Sequence, residues 1–394
     1  MKEKNLEQAA VELTQALIRE RSYSGEEKGV SDVLQAYFKE NNYDDIIVDK
    51  YGNTIGCIKG KRPGPKILFD GHMDTVPVGN ESDWEHPPFA AEIHGGKIYG
   101  RGASDMKGAI ASMAVATTAY RDATDGDFAG EIYVAGVVHE ECFEGVAARE
   151  ISARVQPDYV VIGEASQGNL KIGQRGRGEI KLEVFGKPAH SANPEKGINA
   201  VYKICRIIEA IRELEPTEHP ELGKGILELT DIKSAPYPGA SVVPEYCVAT
   251  YDRRLLVNET LESVLTPLQE LVEKMMEEDP ELKAKLSYAE ASEVCYTGET
   301  IQGERFFPGW LFDQEEEWVQ AVYEEMQNAG LTPEITQYNF CTNGSHYAGE
   351  AGIKTFGLGP SQENLAHTIN EYIEITELNK AVQSYIAAMK ALLK

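Results

Sequence analysis

Four short apolar runs, Ile67 to Phe69, Ile132 to Val138, Tyr159 to Ile162 and Thr355 to Leu358, each end in a cluster of polar residues. Runs of that length with polar boundaries read as buried strands. Helical periodicity fills the intervals. Leu6, Ala10, Leu13 and Leu17 form one face of an N-terminal amphipathic helix, and Gly108 to Tyr120 reads as another helix. A third is predicted over Asp313 to Ala329, where Asp313 and Glu316 suit a helix start and Gly330 its end. Strands alternating with helices predict an α/β fold: a mostly parallel sheet with helices on both faces, its functional groups at the carboxyl ends of the strands.

The middle of the chain has a different rhythm. Ile180, Leu182 and Val184 alternate along a strand, a helix follows over Ile198 to Leu214, and strands are expected at Ile226 to Ile232 and Tyr246 to Leu255. A helix from Thr260 to Glu277 and a strand at Leu286 to Ala289 complete the order βαββαβ, the ferredoxin-like split unit. The expected organisation is a catalytic domain in two parts, residues 1–177 and 293–394, interrupted by an inserted α+β domain at 178–292.

Charge narrows the partners. The 394 residues include 38 basic and 64 acidic side chains, a formal net charge of −26. Such a surface repels phosphate backbones and anionic lipid, so neither nucleic acid nor a membrane surface is expected as a partner. No apolar run reaches 18 residues and no basic-then-apolar leader opens the chain, which leads to an expectation of a cytoplasmic protein. Cys57, Cys142, Cys205, Cys247, Cys295 and Cys341 show no CxxC pairing and read as reduced thiols. Gly173, Gly176 and Gly178 fit neither the Walker nor the dinucleotide spacing.

The chemistry collects at the strand ends. The first strand runs into Gly71-His72-Met73-Asp74, the third into His139-Glu140-Glu141 and the fourth into Gly163-Glu164. Asp105 follows a glycine-rich turn just before a helix, and His367 stands near the C-terminus. Singly, each has an ordinary explanation: a hydrogen-bonded His-x-Asp pair, or a helix cap at Asp105. Adjacent carboxylates at a buried strand end are harder to dismiss, because they are costly without a compensating cation. Imidazole and carboxylate donors without thiolate suit zinc, cobalt or manganese, and an open site of this kind is catalytic in character.

These motifs resemble the dinuclear zinc hydrolases that include aminoacylase, acetylornithine deacetylase, succinyl-diaminopimelate desuccinylase and the glutamate-releasing carboxypeptidases. The likeness runs through GHMDTVP, Pro87-Pro88-Phe89, YGRGASDMKGA, Glu140-Glu141, Gly163-Glu164, Gly186 to Ser191 and His367. It implies two divalent ions per chain, zinc or else cobalt or manganese. His72 and Glu164 would bind one ion, Glu141 and His367 the other, and Asp105 both. Three carboxylates and a bridging hydroxide then balance four positive charges. The resemblance makes Glu140 the general base, has Asp74 orient His72, and implies a cis Asp105–Met106 peptide. The inserted domain becomes a lid and dimerisation domain whose His190 stabilises the oxyanion, with Arg254 gripping a substrate carboxylate.

Two positions depart from the family pattern. Ser241 replaces an asparagine before Val242-Val243-Pro244, and Gly344-Ser345-His346-Tyr347-Ala348 replaces a Gly-[Ser/Thr]-Asp-Ala segment; Ser241, Gly344 and Ser345 are therefore candidate substrate contacts. DRRLLVNET and Phe306-Phe307-Pro308-Gly309-Trp310 look more like a subgroup associated with bacterial purine and selenium metabolism gene clusters. The implied reaction is hydrolysis of an amide in a small N-acyl amino acid or peptide-like substrate. A dipeptidase or carboxypeptidase and a ureido or carbamoyl amidohydrolase are the alternatives, and a binding protein that has lost catalysis is the reading from outside the enzymes. His86, His94, His139, His219 and His346 are given no functional role.

Overall fold

A computed structural model describes residues 3–394, with side chains from Leu6 onward. The chain divides into two compact units. The larger holds Met1–Gln174, Ser292–Gln302 and Leu311–Lys394.

The larger unit is built on a mixed sheet in which Arg62–His72 lies between Ala129–Val137 and Tyr159–Ile162, and Tyr159–Ile162 in turn pairs with Lys354–Gly357. These four central strands are mutually parallel. Antiparallel neighbours flank them, Thr54–Lys59 on one side and Leu170–Gln174 on the other. The buried stretch of each central strand is mostly apolar because both faces are covered. Ile67, Leu68, Phe69, Ile132, Val134, Val160, Val161 and Phe356 are all fully buried. Burial of each such side chain contributes about 1.5–3 kcal/mol.

Helix Gly108–Thr124 is buried continuously from Gly108 to Tyr120 and packs against helices Glu3–Arg19 and Ile375–Leu392. Its alanines suit close approach on several sides rather than one amphipathic face. The helix predicted from Asp313 begins later and spans Glu317–Asn328. Asp313 is spent on a preceding turn, where its Oδ1 accepts from the Glu315 amide at 2.9 Å.

Register positions the site. His72 is opposite Val137, and Ile162 is opposite both Asp70 and Gly357, so the four central strands finish at one edge of the sheet. The residues just beyond those ends are His139-Glu140-Glu141, Gly163-Glu164 and the loop leading to His367.

The smaller unit holds Arg175–Ala291 and Gly303–Trp310. Its strands lie in the order Ile226–Ala235, Tyr246–Leu255, Gly176–Phe185, Lys283–Tyr288, all antiparallel. With helices Ala200–Arg212 and Leu261–Glu278 between them, this is the βαββαβ arrangement. Ile180, Leu182 and Val184 form one core with Ile204, Ile207, Ala249, Tyr251 and Leu268. The segment Gly303–Trp310 belongs with this unit rather than with the C-terminal part of the chain. Phe306 and Phe307 pair with Gly178 and Arg177 as an added edge.

Among the described residues no helix is long and apolar enough to cross a membrane. All six cysteines are free thiols.

Candidate metal centre

Five side chains meet at the strand-end edge of the larger unit as two overlapping groups. His72, Asp105 and Glu164 form one, Asp105, Glu141 and His367 the other, and within each group the donor atoms lie within 4.8 Å of one another. Asp105 is common to both. Its Oδ1 is 2.9 Å from His72 Nε2, and its Oδ2 is 3.1 Å from His367 Nε2. His72 Nε2 is also 3.3 Å from Glu164 Oε1, and His367 Nε2 is 3.1 Å from Glu141 Oε2. A single carboxylate thus presents one oxygen to each half of the site. The Asp105–Met106 peptide is cis.

The tautomer of His72 follows from its partners. Nδ1 lies 2.8 Å from the backbone carbonyl of Asp74, which can only accept, so Nδ1 carries the hydrogen and Nε2 turns its lone pair toward Asp105 and Glu164. The main chain of Asp74 therefore does the orienting. Its carboxylate, 3.6 Å from Nδ1, accepts instead from Ser24 Oγ at 2.6 Å and from the Glu140 and Glu141 amides at 3.0 and 3.2 Å. Asp74 thus orients His72 through its carbonyl and fixes the backbone that carries the two glutamates through its carboxylate.

A second buried carboxylate does the same for Asp105. Glu371 is fully buried, and its Oε1 accepts from the amides of Ser104 and Asp105 at 2.8 and 3.0 Å. Oε2 takes Arg101 Nη1 at 2.6 Å and the Gly102 amide at 3.2 Å. Arg101 is itself 3% exposed and lies over the Trp84 ring. Neither Arg101 nor Glu371 was singled out from the sequence, where the only cue was a charged residue between the glycines of GRG.

The electrostatics describe a site crowded with negative charge. Burial lifts the Glu140 carboxyl well above the usual carboxylate range, reinforced by Glu164, Glu144 and Glu141 and opposed by His72. Glu141 is pushed up to about 7 by burial and by Asp105. Glu164 is raised for the same two reasons. Burial acts on Asp105 as well, but its contacts with His367 and His72 outweigh it and hold the group far below normal. The hydrogen bonds to Asp105 and Glu141 lift His367 to about 10. Four acids around two imidazoles are what a pair of divalent cations would neutralise, and an all-oxygen-and-nitrogen donor set fits zinc, cobalt or manganese. Glu140 is in neither donor group. It is 7% exposed and held in place through its amide by Asp74.

The remaining expected residues are distributed between the units. Gly344 and Ser345 belong to the larger unit. Ser345 is 1% exposed, with its hydroxyl 3.0 Å from the Thr342 carbonyl and 3.3 Å from Gln174 Nε2. It buttresses its own turn and offers substrate no exposed hydroxyl, contrary to the sequence expectation. His190, Ser241 and Arg254 belong to the smaller unit. His190 is exposed, and its Nδ1 accepts from the Ala192 amide at 3.0 Å. Arg254 Nε pairs with Asp252 Oδ1 at 2.7 Å.

Over residues 68–391 the chain matches Peptidase family M20/M25/M40. It belongs to that family. It is 31% identical over 359 residues to the uncharacterized protein YgeY of Escherichia coli (strain K12), covering 89% of this chain and 86% of that one. It is 26% identical to succinyl-diaminopimelate desuccinylase 2 of Ruegeria sp. (strain TM1040), over 94% and 91% of the two chains. The YXEP protein of Bacillus subtilis, described as a dinuclear metal binding peptidase from the M20 family, superposes with a TM-score of 0.72 at 15% identity, over 99% of each chain. The M20 membership makes this protein a metal-dependent hydrolase of the peptidase and desuccinylase type.

Proposed function

We propose that this M20 hydrolase cleaves the amide bond of a small N-acyl amino acid or peptide-like substrate at a centre holding two zinc ions. The observation that carries the reading is the geometry of Asp105, each of whose oxygens faces its own imidazole and carboxylate. His72 and Glu164 would hold one ion, Glu141 and His367 the other, and Asp105 both. When bound, such a pair makes water more acidic and polarises the scissile carbonyl.

The proton work falls to Glu140. Its carboxylate belongs to neither donor group and so is free of a ligand's role, and one of its oxygens takes a proton from water and delivers it to the departing amine. Asp74 keeps the Glu140 and Glu141 backbone in place during that cycle. From the family resemblance, His190 donates a hydrogen bond to the oxyanion. Arg254 grips a substrate carboxylate, with Ser241 and Gly344 shaping the substrate's surroundings. The smaller unit would serve as lid and dimerisation surface in a cytoplasmic homodimer.

Glu164 supports a deacylase or carboxypeptidase, since aminopeptidases of the resembled family commonly have aspartate at that point. The desuccinylase relative supports an N-acyl substrate, and a dipeptidase or carboxypeptidase using the same centre is the second reading. The test is amine release from N-acetyl, N-succinyl, N-formyl and N-carbamoyl amino acids and dipeptides, with Glu140→Gln as control. Turnover of one acyl class that vanishes in the variant is the expected result. Turnover of dipeptides alone would move the assignment to peptidase, and full activity in the variant would overturn the role of Glu140.

A further inference from the structure

Sharing no side chain with that centre, three more donors converge on a small hairpin. Strands Glu92–His94 and Lys97–Tyr99 pair antiparallel, and Gly95 and Gly96 make the two-residue turn, both with positive φ (56° and 78°). Glycine at both positions is what a type I′ turn demands. Strand Tyr372–Glu374 pairs with the outer side of Lys97–Tyr99, and Ile98 and Ile373 are fully buried, so the hairpin is anchored to the body of the larger unit.

Glu92 and His94 are two residues apart on one strand and therefore share a face. His86, from the loop before the hairpin, lies over the same face. His86 Nδ1 is 3.0 Å and His94 Nε2 3.2 Å from one and the same oxygen, Glu92 Oε2. The two imidazoles are stacked, with centroids 4.3 Å apart and planes 24° apart, and His86 rests on Tyr99 at 4.2 Å. All three donor atoms lie within 4.8 Å of one another. Ligands held at about 2.0–2.1 Å from a tetrahedral ion stand roughly 3.3 Å apart, close to the nitrogen–oxygen separations seen here. The sequence reading gave His86 and His94 no ligand role because neither showed a second donor at metal spacing. The hairpin supplies one.

We propose that His86, Glu92 and His94 form a mononuclear site for a divalent transition metal, separate from the dinuclear centre. Two imidazoles and one carboxylate match zinc and disfavour calcium or magnesium, which prefer oxygen alone. Stacking of His94 on His86 and of His86 on Tyr99 holds the donors together before the ion arrives, which lowers the ordering cost of binding. Two of the three side chains are reachable from solvent, with His94 55% and Glu92 41% exposed, so the ion exchanges with the medium.

The test counts ions. Full-length protein stripped with a chelator is equilibrated at free zinc stepped from nanomolar to micromolar, and bound zinc per chain is measured for wild type, His94→Ala and the double variant His86→Gln/His94→Gln. The expected result is one equivalent fewer in both variants, with hydrolysis unchanged and an anomalous zinc peak beside Glu92 in wild-type crystals. Equal zinc content in wild type and variants over the whole range would overturn the proposal, as would the absence of that peak in zinc-saturated crystals. Because only the difference between chains is read, the result is independent of how many ions the Asp105 centre holds.

Discussion

Replacing Glu371 by glutamine tests the claim that a buried anion shapes the Asp105 turn. The carboxylate accepts four hydrogen bonds, two on each oxygen, from Arg101, Gly102, Ser104 and Asp105. Glutamine keeps the volume but replaces one accepting oxygen with an NH2 group. Whichever way the amide turns, two of the four donors then face another donor. If the oxygen keeps Ser104 and Asp105, the Arg101 guanidinium, 3% exposed, loses its counter-charge. Breaking a buried pair in this way costs about 3–5 kcal/mol. If the oxygen instead keeps Arg101 and Gly102, the Ser104 and Asp105 amides are left unsatisfied, at about 1–3 kcal/mol each, and the guanidinium still lacks its counter-charge. The first arrangement spares the metal turn and the second loosens it, while both cost stability, so denaturant unfolding and chelator competition for bound metal should be measured together. The expectation is a loss of at least about 2 kcal/mol in stability, with a fall of about 10–100-fold in metal affinity where the turn amides are the ones left unpaired. A variant that matches wild type in unfolding midpoint and metal retention would refute the argument. Arg101→Met/Glu371→Leu removes both charges, and should recover only the part of the stability lost to the unpaired guanidinium while leaving metal affinity low, because the turn amides still lack their acceptor.

Further expectations concern neighbouring groups. Asp74→Asn should lower turnover about 10–100-fold without loss of fold, since in either orientation one of the Glu140 and Glu141 amides would meet an amide NH2; steady-state kinetics and circular dichroism check this. Gly359→Ala should be among the most damaging single changes, because its Cβ would stand 2.1 Å from the Gly163 carbonyl and 2.3 Å from that of Glu164; soluble yield and thermal unfolding are the readouts. Tyr347→Phe removes one of two donors from the buried Asp70 carboxylate, leaving Asn343, and should cost about 1–3 kcal/mol in urea unfolding. Burial would raise the Glu350 carboxyl, but His346 and Arg149 outweigh it and hold it down to about 2. Because the folded value lies below the unfolded value of about 4.3, its stabilisation is complete above that pH and is lost as pH falls toward about 2. Glu350→Gln should therefore cost about 2 kcal/mol at pH 7 and little at pH 2, measured by urea unfolding at both.

The parallel sheet was legible because each of its strands is a short apolar run that stops at polar residues, and a sheet covered on both faces requires that pattern. The same runs pointed to the donors, since His72, Glu140, Glu141 and Glu164 directly follow them. The alternation at Ile180, Leu182 and Val184 likewise announced a one-sided sheet. What escaped depends on contacts that no local period encodes. Arg101 and Glu371 are 270 residues apart, and only the fold makes them partners. Phe306 and Phe307 read as part of the C-terminal segment until their pairing with Arg177 and Gly178 is seen. Asp313 has the right chemistry to start a helix but is used by an earlier turn, so the helix waits for Glu317. His86, Glu92 and His94 look unrelated because convergence on Glu92 depends on a hairpin fold and a ring stack.

The order of the five converging residues along the chain bears on how the protein is made. His72, Asp105, Glu141 and Glu164 all precede the smaller unit, whereas His367 emerges from the ribosome roughly two hundred residues after Glu164. The strand Lys354–Gly357, which closes the parallel array beside Tyr159–Ile162, is equally late. Through most of translation the nascent chain therefore carries a half-built acidic cluster and an open strand edge. The smaller unit, nearly contiguous, can complete its own sheet first except for the Phe306–Phe307 edge. Synthesis thus leaves a long interval in which that open edge can pair wrongly. Occupancy of the half-site formed by His72, Asp105 and Glu164 during this interval would tie three early segments together before the last strand arrives.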